Sequence, residues 1–182
     1  DKEWFKPQTN LVYKSKNGRI LANNDERVAI FCKGTLATLP HLFWKPDVFL
    51  CNGWQSSFLP ALYKEEYASK DFYENIKTAL MVHSMDDEYT NFGQAAFEKA
   101  GLKIPASMKK GNVNAYEAAA ESVDLIIALE SPSNNITEKL LKLPAVKAKK
   151  KKLVTVKVPE GEMLDYQPVA DKLDKVFEKL NS

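Results

Sequence analysis

The sequence holds two histidines, and one of them, His83, closes the apolar run Lys77-Thr78-Ala79-Leu80-Met81-Val82. An imidazole there can hydrogen-bond a ligand, move a proton, or bound the strand as a structural residue. A second group stands in Cys51-Asn52-Gly53-Trp54-Gln55-Ser56-Ser57. The amides of Asn52 and Gln55 can read sugar hydroxyls or cap the turn that carries them. Trp54 can stack on a sugar face or plug the core beneath a loop. Asp86, Asp87 and Glu88 can hold a cation or hydroxyls, although three adjacent acids on a loop also read as a solvated face.

These groups are useful only where the chain positions them. Lys45-Pro46-Asp47 precedes the short apolar run Val48 to Cys51, and a polar, Gly-containing corner follows, which reads as strand, tight turn, helix. In an open parallel sheet the crevice lies beyond the carboxyl ends of the strands, so Asn52, Gly53, Trp54 and Gln55 fall at its rim. Upstream, Leu11 to Leu21 places Asn17-Gly18 between two apolar pieces, the pattern of a small N-terminal hairpin. Asn23-Asn24-Asp25-Glu26 offers caps for a helix from about Arg27 to Leu39, whose buried face is expected to be Val28, Phe31, Cys32, Thr35, Leu36 and Leu39. Ser56 or Ser57 is expected to cap the next helix, with Pro60 in its first turn and Leu59, Leu62, Tyr63 and Tyr67 facing the sheet.

Lys77 to His83 reads as a second buried strand, followed by the acidic loop Ser84 to Tyr89. A helix from Gln94 to Ala100 ends at Gly101, and Asn114 caps another to Ser122. Val123 to Leu129 forms a third strand, Ser131 or Ser133 caps a helix through Leu143, and Leu153 to Val158 forms a fourth strand. Val169, Leu173, Val176, Phe177 and Leu180 make the apolar stripe of a closing helix. Strands alternating with helices give a single α/β domain over residues 1–182 with a parallel sheet.

Composition narrows the function. With 45% hydrophobic and 27% charged residues the chain is an ordinary globular protein, and a net charge of +2 favours no particular partner. The lysines at 147 and 149–152 read as a solvated connection before a strand; no aromatics interleave with them, so a nucleic-acid groove is not expected. Cys32 and Cys51 each lie in an apolar run and read as buried free thiols of a reducing compartment. No metal pattern, cofactor loop, nucleophile elbow or membrane span is found, which points to a soluble cytoplasmic protein without a cofactor. The chain begins at Asp1 and runs straight into Trp4 and Phe5, which reads as a domain whose N-terminal segment is missing.

Lys45-Pro46-Asp47-Val48 through Trp54, then Pro60-Ala61-Leu62, resembles the segment of bacterial glycogen and starch synthases in which "PDVVHAHDWH" runs into "TALVPALL". Lys77 to Ser84 resembles their "KTVFTIHN" strand. Asn24 to Leu36 is similar to their "DN-x-x-RF-x-FF-x-R-A-x-LE" helix, and Ala128-Leu129-Glu130-Ser131-Pro132 to their "TVSP" strand end. The four segments, in order, span most of residues 24–140. The likeness extends to short Bacteroidetes-type glycogen synthase-like proteins that consist of this domain.

The resemblance implies a Rossmann-like sheet with helices on both faces, one half of a GT-B architecture. It implies a retaining hexosyltransferase that moves glucose from a sugar nucleotide such as ADP-glucose to an α-1,4-glucan, in a cleft completed by a second domain or polypeptide. It places His83 on the family's histidine near the donor sugar, hence as the catalytic candidate. Asn52, Trp54, Gln55 and Ser131 are the binding candidates, and no metal is expected. Leu50 and Asn52 replace two histidines of "HAHDW", Gly53 its aspartate, and Gln55 the histidine after the tryptophan. A non-catalytic module that binds sugar, glucan or nucleotide, or a plain scaffold, therefore stays open beside the transferase reading.

Overall fold

The computed structural model describes residues 14–85, 90–103, 111–161 and 164–181. Four parallel strands form the sheet: β1 (Val48–Asn52), β2 (Lys77–Val82), β5 (Leu125–Glu130) and β6 (Leu153–Lys157), side by side in that order. Cys51 sits opposite Leu80, Val82 opposite Ala128, and Ile127 opposite Val154. The inner strands β2 and β5 are covered on both faces, which is why their sequences read as continuous apolar runs. Two short strands, β3 (Asn91–Phe92) and β4 (Val113–Asn114), pair antiparallel apart from the sheet. Sequence periodicity gives no sign of them, because two residues are too few to show one.

Most helices cover one face. These are α1 (Asn24–Thr38), α2 (Leu59–Leu62), α3 (Gln94–Ala100), α4 (Ala115–Ala120), α5 (Ile136–Leu141) and α6 (Pro144–Ala148). Their apolar residues join Phe49, Cys51, Leu80, Val82, Ile126 and Ala128 in the main core. On the other face α7 (Gln167–Asn181) lays Val169, Leu173, Val176, Phe177 and Leu180 over Ala79, Leu125, Ile127 and Val156, as its stripe implies. The α/β fold with helices on both faces of a parallel sheet is therefore present.

Several local details differ from expectation. Val28, Cys32 and Leu36 in α1 and Leu39 just after it are buried, Thr35 is half-buried, and Phe31 is 58% exposed. Ala29 takes the place beside Val28 and Cys32, and this rotates the buried stripe away from Phe31. Ser56 and Ser57 do not cap amides; their hydroxyls donate back to the carbonyls of Asn52 and Trp54 (3.0 and 2.7 Å). The helix they precede is one turn long and continues as a wider π turn over Tyr63–Tyr67. Ser131 and Ser133 likewise sit in a turn, where the Ser131 amide donates to Asn134 Oδ1, and α5 starts later, after Asn135. Asn114 does cap α4, its Oδ1 accepting from the Tyr116 amide at 2.9 Å. Gly101 closes α3 at φ +80.

Of the Asn17-Gly18 hairpin, the structure shows the single bridge between Lys14 and Ile20, with Gly18 at φ +82; Leu11 to Tyr13 lie outside the described residues. The lysine run is less solvated than expected: the ammonium groups of Lys149 and Lys152 donate to the carbonyls of Glu121 and Val123 and fasten the approach to β6. Large apolar side chains are exposed at Phe31 on α1, at Leu42, Phe43 and Trp44 before β1, and at Leu50 within it.

Candidate functional site

β1 and β2 end side by side, with Asn52 opposite Met81, so the residues that follow meet at the carboxyl rim. The Gly53 amide donates to the Met81 carbonyl (2.8 Å) and carries the register one step past the strand. Gly53 then turns sharply at φ +70, ψ −175, a conformation that is essentially glycine's own. A Cβ there would lie 2.7 Å from Gln55 Oε1 and 3.2 Å from His83 Cε1. The missing side chain is what allows Gln55 and His83 to close over the turn.

His83 Nδ1 stands 3.2 Å from Asn52 Oδ1. With the proton on Nδ1 the ring donates to the amide oxygen, which leaves Nε2 as an acceptor. Both side chains are exposed, and Gln55 is half-buried. This gives an open patch of one imidazole and two amides, able to donate to and accept from a polyhydroxy ligand.

The patch rests on fixed supports. Cys32 Sγ on α1 donates to the Gln55 carbonyl (3.6 Å), and Tyr116 Oη on α4 donates to the Ser84 carbonyl (3.0 Å), one residue past His83. Trp54 lies beneath the patch, only 5% exposed, with its ring edge-on to Phe92. Phe58 stacks on the same Phe92 at 4.6 Å and meets Phe97 edge-on. Trp54 is thus the core plug of the two readings, and its faces are covered by protein.

Ser131 follows β5, the strand beside β2, and lines a pocket with Glu130, Asn135 and Lys157, a lining that does not include Asn52, Gln55 or His83. Of the acidic loop, Asp86, Asp87 and Glu88 lie outside the described residues. Among the described residues no cluster of His, Cys, Asp and Glu could hold a metal ion, and no helix is long and apolar enough to cross a membrane.

Both thiols are buried. Burial raises Cys32 to about 12, against hydrogen bonds from the Phe58 and Leu59 amides, and it raises Cys51 further, helped by Cys32. At these values neither supplies a nucleophile. Sequence reasoning missed the hydroxyl of Tyr63, which donates to the carbonyls of Tyr73 and Ile76 (both 2.9 Å) and fixes the loop that enters β2. It also missed Glu130, whose carboxyl the Lys157 ammonium and the hydroxyl and amide of Thr137 hold down at about 2. Glu130 thereby ties β5 to β6 and α5.

Residues 1–136 match the family described as the starch synthase catalytic domain. The chain belongs to this family. Glycogen synthase of Chlorobium limicola is 33% identical over 132 residues, covering 69% of this chain and 26% of that protein. Glycogen synthase of Clostridium perfringens is 40% identical over 74 residues, 40% of this chain and 15% of that protein. The chain thus spans about a quarter or less of the length of these relatives. Among solved structures, the catalytic domain of starch synthase IV from Arabidopsis thaliana, bound to ADP and acarbose, superposes with a TM-score of 0.60 at 20% identity. That match covers 74% of this chain and 30% of the plant chain, and it shows a shared fold. The starch synthase match stops at residue 136, so α6, β6 and α7 lie outside it.

Proposed function

We propose that this chain forms part of a glycogen or starch synthase-type retaining hexosyltransferase, which moves glucose from ADP-glucose to the end of an α-1,4-glucan. The observation that carries the reading is the pairing of His83 with Asn52 at the carboxyl rim, inside the residues that match the family. His83 is the catalytic candidate: its ring hydrogen-bonds the donor sugar, and Asn52 fixes which ring nitrogen faces it. Asn52 and Gln55 bind sugar hydroxyls. The ADP and acarbose on the plant enzyme support a nucleotide and a glucan as ligands. Most donor contacts come from a second domain or polypeptide, which closes the crevice and excludes water.

A second reading is favoured by one observation. Where the resemblance expects histidines and an aspartate, this chain has Leu50, Asn52, Gly53 and Gln55, none of which can titrate. A module that binds sugar without transferring it needs only the neutral groups that remain.

Calorimetric titration with ADP-glucose and with maltooligosaccharide, repeated on His83→Ala, separates these. Sugar-nucleotide binding that His83→Ala abolishes supports the transferase reading. Binding of glucan alone supports the module. No heat from either ligand refutes both.

A further inference from the structure

A pocket of about 200 Å³ lies where the chain enters β2 and β5, at the end of the sheet opposite the His83 crevice. Its polar lining is Lys64 on the π turn, Asn75 and Lys77 at the entry to β2, and Ser122 and Asp124 before β5. The whole of β2, roughly 20 Å, separates it from His83.

The chain crowds positive charge around this space. Lys64 and Lys77 are exposed and, among the described residues, form no ion pair. The ammonium groups of Lys149 and Lys152 are fixed against the same wall, donating to the carbonyls of Glu121 and Val123, which alternate with Ser122 and Asp124. Desolvation, then Lys152 and Lys64, lowers the pKa of Lys149, while Glu121 and Asp124 pull it the other way, so these charges share one neighbourhood. The carboxylate in the lining is Asp124, whose Oδ2 already accepts from the Thr78 amide (2.9 Å) and hydroxyl (3.0 Å). With Glu121 at the margin, the ammonium groups of Lys64, Lys77, Lys149 and Lys152 outnumber the carboxylates, and the local field favours an anion.

The frame is held in place. Tyr63 Oη donates to the carbonyls of Tyr73 and Ile76, on either side of Asn75 (both 2.9 Å), and the Tyr73 hydroxyl donates to the Leu36 carbonyl of α1. Two ammonium groups, an amide and a hydroxyl therefore line a fixed space, a set of donors that suits a tetrahedral oxyanion able to accept several hydrogen bonds. The volume is below the roughly 300–1,000 Å³ of sites that enclose drug-sized ligands, so the space suits one phosphoryl group and not a whole nucleotide.

We infer that this pocket binds a phosphoryl group, as free phosphate or as the end of a small phosphate ester. Lys149 and Lys152 follow residue 136, where the family match stops, so part of the attracting charge comes from the chain beyond that match. The inference goes beyond the transferase reading and does not rest on it.

The test is amide chemical-shift mapping of the full chain at fixed, low ionic strength, titrated to about 20 mM with inorganic phosphate and, in parallel, with glycerol 3-phosphate, chloride and hexaglutamate. The expected result is saturable shifts at residues 64, 75–78 and 122–124 with phosphate or the ester, weakened about fivefold or more when Lys64→Gln is combined with Lys77→Gln. Whichever of the two binds more tightly tells a free ion from an ester. The shifts persist in His83→Ala and in the combined Lys150→Gln and Lys151→Gln variant, whose substituted side chains lie outside the lining. No saturable phosphate or ester shifts there, equal shifts from chloride, shifts unchanged by Lys64→Gln with Lys77→Gln, or equal weakening in both lysine variants would overturn the inference. Tighter binding of hexaglutamate would overturn it too, in favour of an acidic protein partner. Failure of ADP-glucose binding in the calorimetry bears on the His83 crevice alone.

Discussion

Replacing Gly53 with alanine perturbs fold and candidate site together. At φ +70 and ψ −175 a residue with a Cβ pays about 1–3 kcal/mol in backbone strain. Rotation away from that conformation is resisted by the Gly53 amide, which is bonded to the Met81 carbonyl at 2.8 Å. The new methyl would also sit 2.7 Å from Gln55 Oε1 and 3.2 Å from His83 Cε1. The Gln55 tip can swing away cheaply, whereas the ring must shift by a few tenths of an ångström and loosen its bond to Asn52, adding about 1 kcal/mol. The sum is a loss of about 3 kcal/mol, a fall in Tm of roughly 6–12 °C for a chain of this size. Gly34 supplies the control. It lies within α1 with nothing within 4 Å of an added Cβ, so Gly34→Ala raises stability by about 0.5–1 kcal/mol. Urea and thermal unfolding measure both variants, and the His83 ring resonances report the site. A Gly53→Ala protein within about 0.5 kcal/mol of wild type, with unmoved ring resonances, refutes the account of the turn.

Tyr63→Phe removes one hydroxyl shared by two buried carbonyls and costs about 1–2 kcal/mol by urea unfolding. Cys32 and Cys51 stay unreactive toward a disulfide reagent at mildly alkaline pH in the folded protein, and both react once denaturant is added; modification of the native protein would contradict their burial. Glu130 sets an acid limit. Its folded carboxyl is held at about 2, below the ordinary value of 4.5, so the unfolded chain takes up the proton first. The contribution is fully present above about 4.5 and is lost as pH falls toward about 2. Glu130→Gln removes that part of the pH dependence and costs about 2 kcal/mol at neutral pH; an unchanged acid unfolding profile would count against the Glu130 linkage.

The strands were legible because β1, β2, β5 and β6 are bounded apolar runs, and α7 because its stripe repeats at helical spacing. Phe31 was misplaced since α1 carries apolar residues on more than one side, which blurs its period. Serines 56, 57, 131 and 133 bond to turn carbonyls or amides or to other side chains, a choice that helix patterns do not encode. At the candidate site, the strand ends brought Asn52 and His83 together as the parallel-sheet rule requires. The burial of Trp54 depended on Phe92, thirty-eight positions away, which local sequence does not link to it. Tyr63 and Glu130 act through backbone groups and one distant lysine, so neither leaves a motif.

The order of the strands bears on how the protein is made. β1, β2, β5 and β6 lie side by side in the order in which a ribosome releases them. Each new strand joins at the growing border, and none has to be threaded between two that have already met. Synthesis at roughly 5–20 residues per second leaves the border of β2 waiting several seconds for β5, because α3, β3, β4 and α4 are made in between. Of the elements described, α7 emerges after all the rest, so the second face of the sheet is the part of the nascent chain that stays open longest to chaperones.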